Sequence, residues 1–116
     1  MAPDLPHPLP DPLVELIALR FRTLAEPMRI KLLDALRDGP ATVLELQAAV
    51  GTSQQNVSKH LGVLLDSAMV ERTKHGTSAR YAIADPVLFE LCDQVCGSLR
   101  RQVAELDSLL EGASAR

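Results

Sequence analysis

Residues 52–67 read TSQQNVSKHLGVLLDS and follow directly on Gly51. Within and just beyond this stretch Val57, Leu61, Leu64, Leu65 and Ala68 recur at i, i+4, i+7, i+8 and i+11, which is one apolar stripe on a helix. Thr52, with Gln55 three residues later, reads as a capping box that opens the helix. Ser53, Gln54, Gln55, Asn56, Ser58, Lys59 and Gly62 lie off the stripe and gather toward its start. They are polar and mostly uncharged, whereas a helix face built only for solubility carries more Glu and Lys pairs. Glutamine and asparagine can bond an adenine edge twice, serine suits a base or a phosphate, and Lys59 suits guanine or a phosphate. Gly62 lets a backbone approach closely. The segment from about residue 53 to residue 67 therefore reads as a helix that recognises a base sequence, with a solvated polar face as the alternative.

The residues on either side strengthen the first reading. Upstream, Thr42 and Glu45 form another capping box, Val43, Leu46 and Val50 point inward, and Gly51 stops the helix. Two helices joined by so short a connection form a helix-turn-helix. Downstream, residues 69–73 and 78–83 are β-compatible runs around Lys74-His75-Gly76-Thr77, where Gly76 supplies the positive φ of a tight turn. This hairpin is a candidate wing. It carries Arg72, Lys74, His75 and Arg80, and strand alternation places Arg72 and Lys74 on one face.

Three further helices complete the pattern. Asp11-Pro12 reads as an N-cap followed by proline in the first helical position and starts the first, with Leu13, Leu16, Ile17, Phe21 and Leu24 at helical spacing. Glu26-Pro27 starts the second, whose stripe of Ile30, Leu32, Leu33 and Leu36 ends at Gly39-Pro40. Asp85-Pro86 starts the last, where Leu88, Cys92, Val95, Cys96, Leu99, Val103, Leu106 and Leu110 keep a near-heptad stripe. One domain can cover only part of so long a stripe, so the remainder, with the first helix, is expected to be buried against a second copy. Residues 1–10 hold four prolines and no periodic pattern and read as a flexible arm. Residues 11–111 form the expected domain, and 112–116 a tail. The fold class is mainly α with a small β-hairpin: a winged helix-turn-helix of five helices and a two-stranded wing, dimeric through its first and last helices.

Charge constrains the function. The chain of 116 residues has a net charge of −3, yet residues 53–81 carry four basic and two acidic groups, making the middle its only positive segment. Duplex affinity comes largely from neutralising phosphates, so any DNA contact must sit there. No apolar run reaches the length of a membrane span and the N-terminus lacks the layout of a signal peptide, so a cytoplasmic location and reduced cysteines are expected. No nucleophile with a neighbouring base, phosphate-cradling glycine loop or catalytic metal motif is present, which argues against an enzyme.

From Leu24-Ala-Glu-Pro-Met-Arg-Ile through Ser53-Gln-Gln-Asn-Val-Ser-Lys-His-Leu to Tyr81, the chain resembles the ArsR/SmtB group of bacterial winged-helix repressors. The order of a V-S-x-H-L core at residues 57–61, a leucine pair, the run SAMVERTKHGTSARYAI and then Asp-Pro is specific to that group. The resemblance implies a homodimer through the first and last helices, a double-stranded DNA operator with an imperfect inverted repeat, and release when an inducer binds. It places Ser53, Gln54, Gln55, Asn56, Ser58, Lys59 and His60 on the recognition helix and Arg72, Lys74, His75 and Arg80 on the wing. The alternative is a winged-helix protein-interaction module without DNA binding, which the acidic net charge favours and the glutamine-rich helix face opposes.

Cys92 and Cys96 stand four residues apart, on one side of the last helix. Such a pair can chelate a soft metal or arsenic(III), or respond to an oxidant. Relatives in the group that sense such ions do use cysteines. The cysteine pair that some of them carry on the third helix is absent, since that region reads Val43-Leu-Glu-Leu-Gln, and no histidine follows His75. Both cysteines also lie on the apolar stripe, so packing in the dimer core is the competing reading. His7, His60 and His75 form no cluster along the chain. No resident cofactor is expected.

Overall fold

A computed structural model describes residues 4–114 of the chain. Its elements run α1 (Asp11–Leu24), α2 (Pro27–Ala35), a short 3-10 turn (Leu36–Asp38), α3 (Val43–Val50), α4 (Gln54–Asp66), β1 (Val70–His75), β2 (Ser78–Ile83) and α5 (Val87–Ser114). Residues 4–10 form neither helix nor strand, and residues 1–3 of the expected arm lie outside the described residues. The chain divides into two compact units, one ending at Ala84 and one beginning at Asp85.

The first unit holds the helix-turn-helix and the wing. Leu32, Leu33 and Leu36 from α2 and its 3-10 extension, Leu46 from α3, Val57, Leu61 and Leu64 from α4, and Met69 and Val70 are all buried. Apolar burial at this density is the main favourable term in the fold. Ile30, expected on the same stripe of α2, is 46% exposed. The local start signals act largely as written. Glu26 caps α2 by accepting the Arg29 N–H at 3.1 Å. Thr42 and Glu45 form the reciprocal capping box of α3, and Gly51 closes that helix with φ 71° and ψ 43°, a left-handed geometry that suits glycine.

Three helix boundaries in the first unit differ from the sequence expectations. α1 begins at Asp11 with Pro10 as its cap residue, and Asp11 makes no capping bond through its side chain. α4 is capped by Ser53, not by Thr52: the Ser53 Oγ accepts the Asn56 N–H at 3.1 Å, while Thr52 Oγ1 accepts from the Asn56 side-chain amide at 3.1 Å. Gly51 spends its left-handed turn before Thr52, so the chain enters helical geometry one residue later than the Thr52/Gln55 pattern suggested. Ala68 is exposed and belongs to the end of α4, not to its apolar stripe. With φ 58° it takes the position usually given to glycine, as its N–H bonds the Leu65 carbonyl and the Met69 N–H bonds the Leu64 carbonyl, both at 3.0 Å.

The wing is an antiparallel pair in which Val70 faces Ile83, Arg72 faces Tyr81, Thr73 faces Arg80 and His75 faces Ser78. Pairing thus continues through Lys74 and His75, and the turn shrinks to Gly76 and Thr77. Gly76 has φ 62°, as the first central residue of a II′ hairpin requires. Two bonds fasten the wing to the chain before α3: Ala41 N–H to Tyr81 carbonyl at 2.9 Å, and Tyr81 N–H to Ala41 carbonyl at 2.8 Å.

The second unit is α5, a single helix of 28 residues. It continues through residues 112–114, which the sequence pattern assigns to a tail. Val95, Leu99, Val103, Leu106 and Leu109 are each more than half exposed. Within the first unit α1 behaves alike, with Leu16, Leu19 and Phe21 more than half exposed. No helix among the described residues is long and apolar enough to cross a membrane.

Candidate DNA interface

The tight turn at Gly51 and the Ser53 cap bring the start of α4 to the surface. At about 3.6 residues per turn, Gln54, Gln55, Ser58 and Lys59 fall on one arc, and all four are exposed. Val57, His60, Leu61 and Leu64 occupy the opposite, buried arc. Ser53 is exposed, but its hydroxyl is already engaged in the cap. Asn56 is half-buried and bonded to Thr52, so its side chain helps to shape the turn.

His60 stands apart from the rest of the expected set. It is 6% exposed, with Nδ1 3.2 Å from Arg29 Nη1 and Nε2 3.8 Å from Glu26 Oε2. Its place at i+3 from Val57 and i−1 from Leu61 turns the ring into the domain, away from the exposed arc of α4. Arg29 and Glu26 were absent from the sequence-derived site. Arg29 meets a ring 31 positions later and Glu26 meets it from still further away, so neither contact leaves a local signal in the chain.

On the wing, Arg72 and Lys74 share a face, as alternation requires, and both are exposed. Arg80 does not join them. It is paired with Thr73 and so lies on the other face with His75. There its charge acts on Glu45 of α3: the Glu45 carboxyl is held below its ordinary 4.5 by bonds from the Thr42 backbone and hydroxyl, and Arg80 lowers it further. The positive segment is therefore divided by register, with one part beside α3 and another on the face of Arg72 and Lys74.

Cys92 is half-buried, Cys96 is exposed, and neither is in a disulfide. Among the described residues no group of three or more His, Cys, Asp and Glu side chains is arranged to hold a metal ion. Both thiols belong to α5, outside the unit that carries α4 and the wing.

Comparison with known proteins places this geometry. A family model described as a helix-turn-helix domain matches residues 24–73. The HTH-type transcriptional regulator Rv0081 of Mycobacterium tuberculosis is 37% identical over 110 residues, 90% of this chain and 96% of that protein. The crystal structure of Rv0081 superposes with a TM-score of 0.75, covering 83% of this chain and 97% of the other at 35% identity. The homodimeric winged helix-turn-helix DNA-binding domain Mb0332 of Mycobacterium bovis, a possible ArsR-family regulator by its description, gives a TM-score of 0.71 at 25% identity over 84% of this chain and 94% of that one. The AntR antimony-specific transcriptional repressor gives 0.70 at 28% identity over 89% and 99%.

Proposed function

The chain belongs to the ArsR/SmtB family of DNA-binding helix-turn-helix transcriptional regulators, and from that premise we propose that it is a repressor that grips an inverted-repeat operator as a homodimer and leaves it when an inducer binds. The observation that carries this reading is the exposed arc of Gln54, Gln55, Ser58 and Lys59 at the capped start of α4, with a buried arc behind it. In the major groove Gln54 and Gln55 read base edges, while Ser58 and Lys59 bond phosphates or a guanine. Arg72 and Lys74 follow the backbone from the wing. His60 lies inside the domain, and Arg80 stands exposed on the other face of the wing.

The dimer follows from the apolar side chains that α1 and α5 leave exposed, and the Mycobacterium bovis relative described as homodimeric supports it. A subunit of net charge −3 gains little from a single positive wing, and two subunits double the phosphate contacts. A repressor works where the DNA is, so a cytoplasmic location is part of the proposal.

A mobility shift with the duplex upstream of the protein's own gene tests the reading. The parent retards the duplex, and Gln54→Ala and Lys59→Ala weaken the shift while the circular dichroism spectrum is unchanged. If both variants bind like the parent, α4 is not the contact. If light scattering finds a monomer, the dimer falls.

For the inducer we propose a thiophilic ion held by Cys92 and Cys96, whose thiols lie one turn apart with Cys96 open to solvent. The AntR relative, described as antimony-specific, supports a metalloid. Two sulfurs do not fill a coordination sphere, so a group from the second subunit, a small thiol or water completes it. Cadmium would displace the two thiol protons, whereas arsenite would lose two of its hydroxyls as water with them. Arsenite or cadmium should dissociate the parent from its duplex and leave the Cys92→Ser/Cys96→Ser variant bound. Unaltered release in that variant would leave the cysteines as packing residues.

A further inference from the structure

Arg29, in the first turn of α2, joins three helices through one guanidinium. Its Nε donates to the Thr23 carbonyl near the end of α1 at 2.6 Å, and its Nη1 stands 3.2 Å from Nδ1 of His60 on α4. Its own N–H donates to the Glu26 carboxylate that caps α2, at 3.1 Å. A guanidinium carries donors only, so His60 Nδ1 must accept and the ring is the neutral tautomer with its proton on Nε2. That Nε2 faces Glu26 Oε2 at 3.8 Å. The Thr23 carbonyl is among the last four of α1, which have no partner within the helix, and Arg29 supplies one.

We propose that Arg29 and His60 are positioning residues for DNA binding: the planar fork sets how far α4 is rolled about its axis relative to the end of α1. Val57, Leu61 and Leu64 hold α4 to the core by apolar contact, which is non-directional and tolerates a small roll. A hydrogen bond from a rigid fork does not tolerate it. Lys59 is the neighbour of His60 and Ser58 lies two residues before it, so a roll of the buried ring displaces the exposed arc directly. Binding groups act only when their supporting shell holds them to within roughly half an ångström. The inference rests on the proposed DNA contact of α4 and adds the residues that aim it.

The test uses the full chain and the duplex upstream of its own gene. Arg29→Ala and His60→Leu should each weaken binding about tenfold, the scale of one charge-assisted hydrogen bond. The double variant should lose no more than Arg29→Ala alone, because the bond that His60→Leu removes is already gone in Arg29→Ala. His60→Asn puts a carbonyl oxygen where Nδ1 was and should bind within about twofold of the parent. Arg29→Lys, with one ammonium in place of a fork, should remain weak. A long-range nitrogen NMR spectrum of the parent, which needs no variant to fold, should show His60 protonated on Nε2 alone at neutral pH. Parent-like binding by Arg29→Ala and His60→Leu overturns the inference and leaves the α4 contact standing. So does an asparagine variant as weak as the leucine one, or a ring protonated on Nδ1. A parent that does not bind the duplex removes the DNA reading itself, and this inference with it.

Discussion

Arg72 and Arg80 leave the wing from opposite faces, because Arg72 is registered against Tyr81 and Arg80 against Thr73. Only the face of Arg72 and Lys74 is assigned to the duplex in this proposal; Arg80 is exposed on the other face, and its charge is the smallest of the influences that lower Glu45. Salt titration separates the two roles. Arg72→Ala and Lys74→Ala should each flatten the plot of log affinity against log salt by about one unit. Arg80→Ala should leave the slope of the parent. An equal loss of slope in all three variants would place the three cations on one phosphate track.

The exposed arc of α4 divides into readers and anchors. Gln54→Ala should relax preference at one base pair, at a cost of about 1–3 kcal/mol of discrimination. Lys59→Ala should weaken all sequences alike if it bonds a phosphate. Binding to a set of duplexes with single base-pair changes checks this, and a uniform loss in Gln54→Ala would make that residue an anchor too.

Core packing carries a separate expectation. Leu61 is fully buried where α4 meets the rest of the first unit, so Leu61→Ala should cost about 2–5 kcal/mol. Leu44, 65% exposed on α3, should change stability by no more than about 0.5 kcal/mol as Leu44→Ala. Urea unfolding at one fixed protein concentration compares them, since the stability of a dimer depends on concentration.

Ala68 holds a left-handed conformation with φ 58° at the end of α4, and its side chain is exposed. The strain of a Cβ there is about 1–2 kcal/mol, and the greater freedom of glycine in the unfolded chain offsets part of its relief. Ala68→Gly should therefore raise stability by about 0.5–1 kcal/mol, seen as a higher urea midpoint. A lower midpoint would mean that the methyl group packs usefully.

The capping box of α3 predicts an acid response. The Glu45 carboxyl is held below its ordinary 4.5 in the folded chain, by Thr42 first and Arg80 after it. A depressed folded value means that the contribution is fully present above the unfolded value, and is lost as pH falls through the folded one. Stability should thus drop from about pH 4.5 downward, and Glu45→Gln should remove part of that drop. An unchanged acid limb in the variant would show that other carboxylates govern it.

Much of the molecule was legible in local patterns. The stop at Gly51, the Thr42/Glu45 box, the Glu26 cap and the Gly76 turn are short-range devices, complete within a few residues, and each acts as its spacing implied. The alternation that puts Arg72 beside Lys74 is equally local. Patterns that compete for one site were harder, and the Thr52/Gln55 box lost to Ser53 because the left-handed turn at Gly51 delays the helix by one residue.

What tertiary structure decided lies at long range. Sequence alone determined that a polar arc at the start of α4 follows a helix-turn and precedes a basic hairpin, because periodicity and capping are properties of neighbours. It did not determine that His60 turns inward to Arg29 and Glu26, nor that the charge of Arg80 reaches Glu45 of α3. Those outcomes depend on how helices pack and on strand register, which bring together groups that share no local signal in the chain.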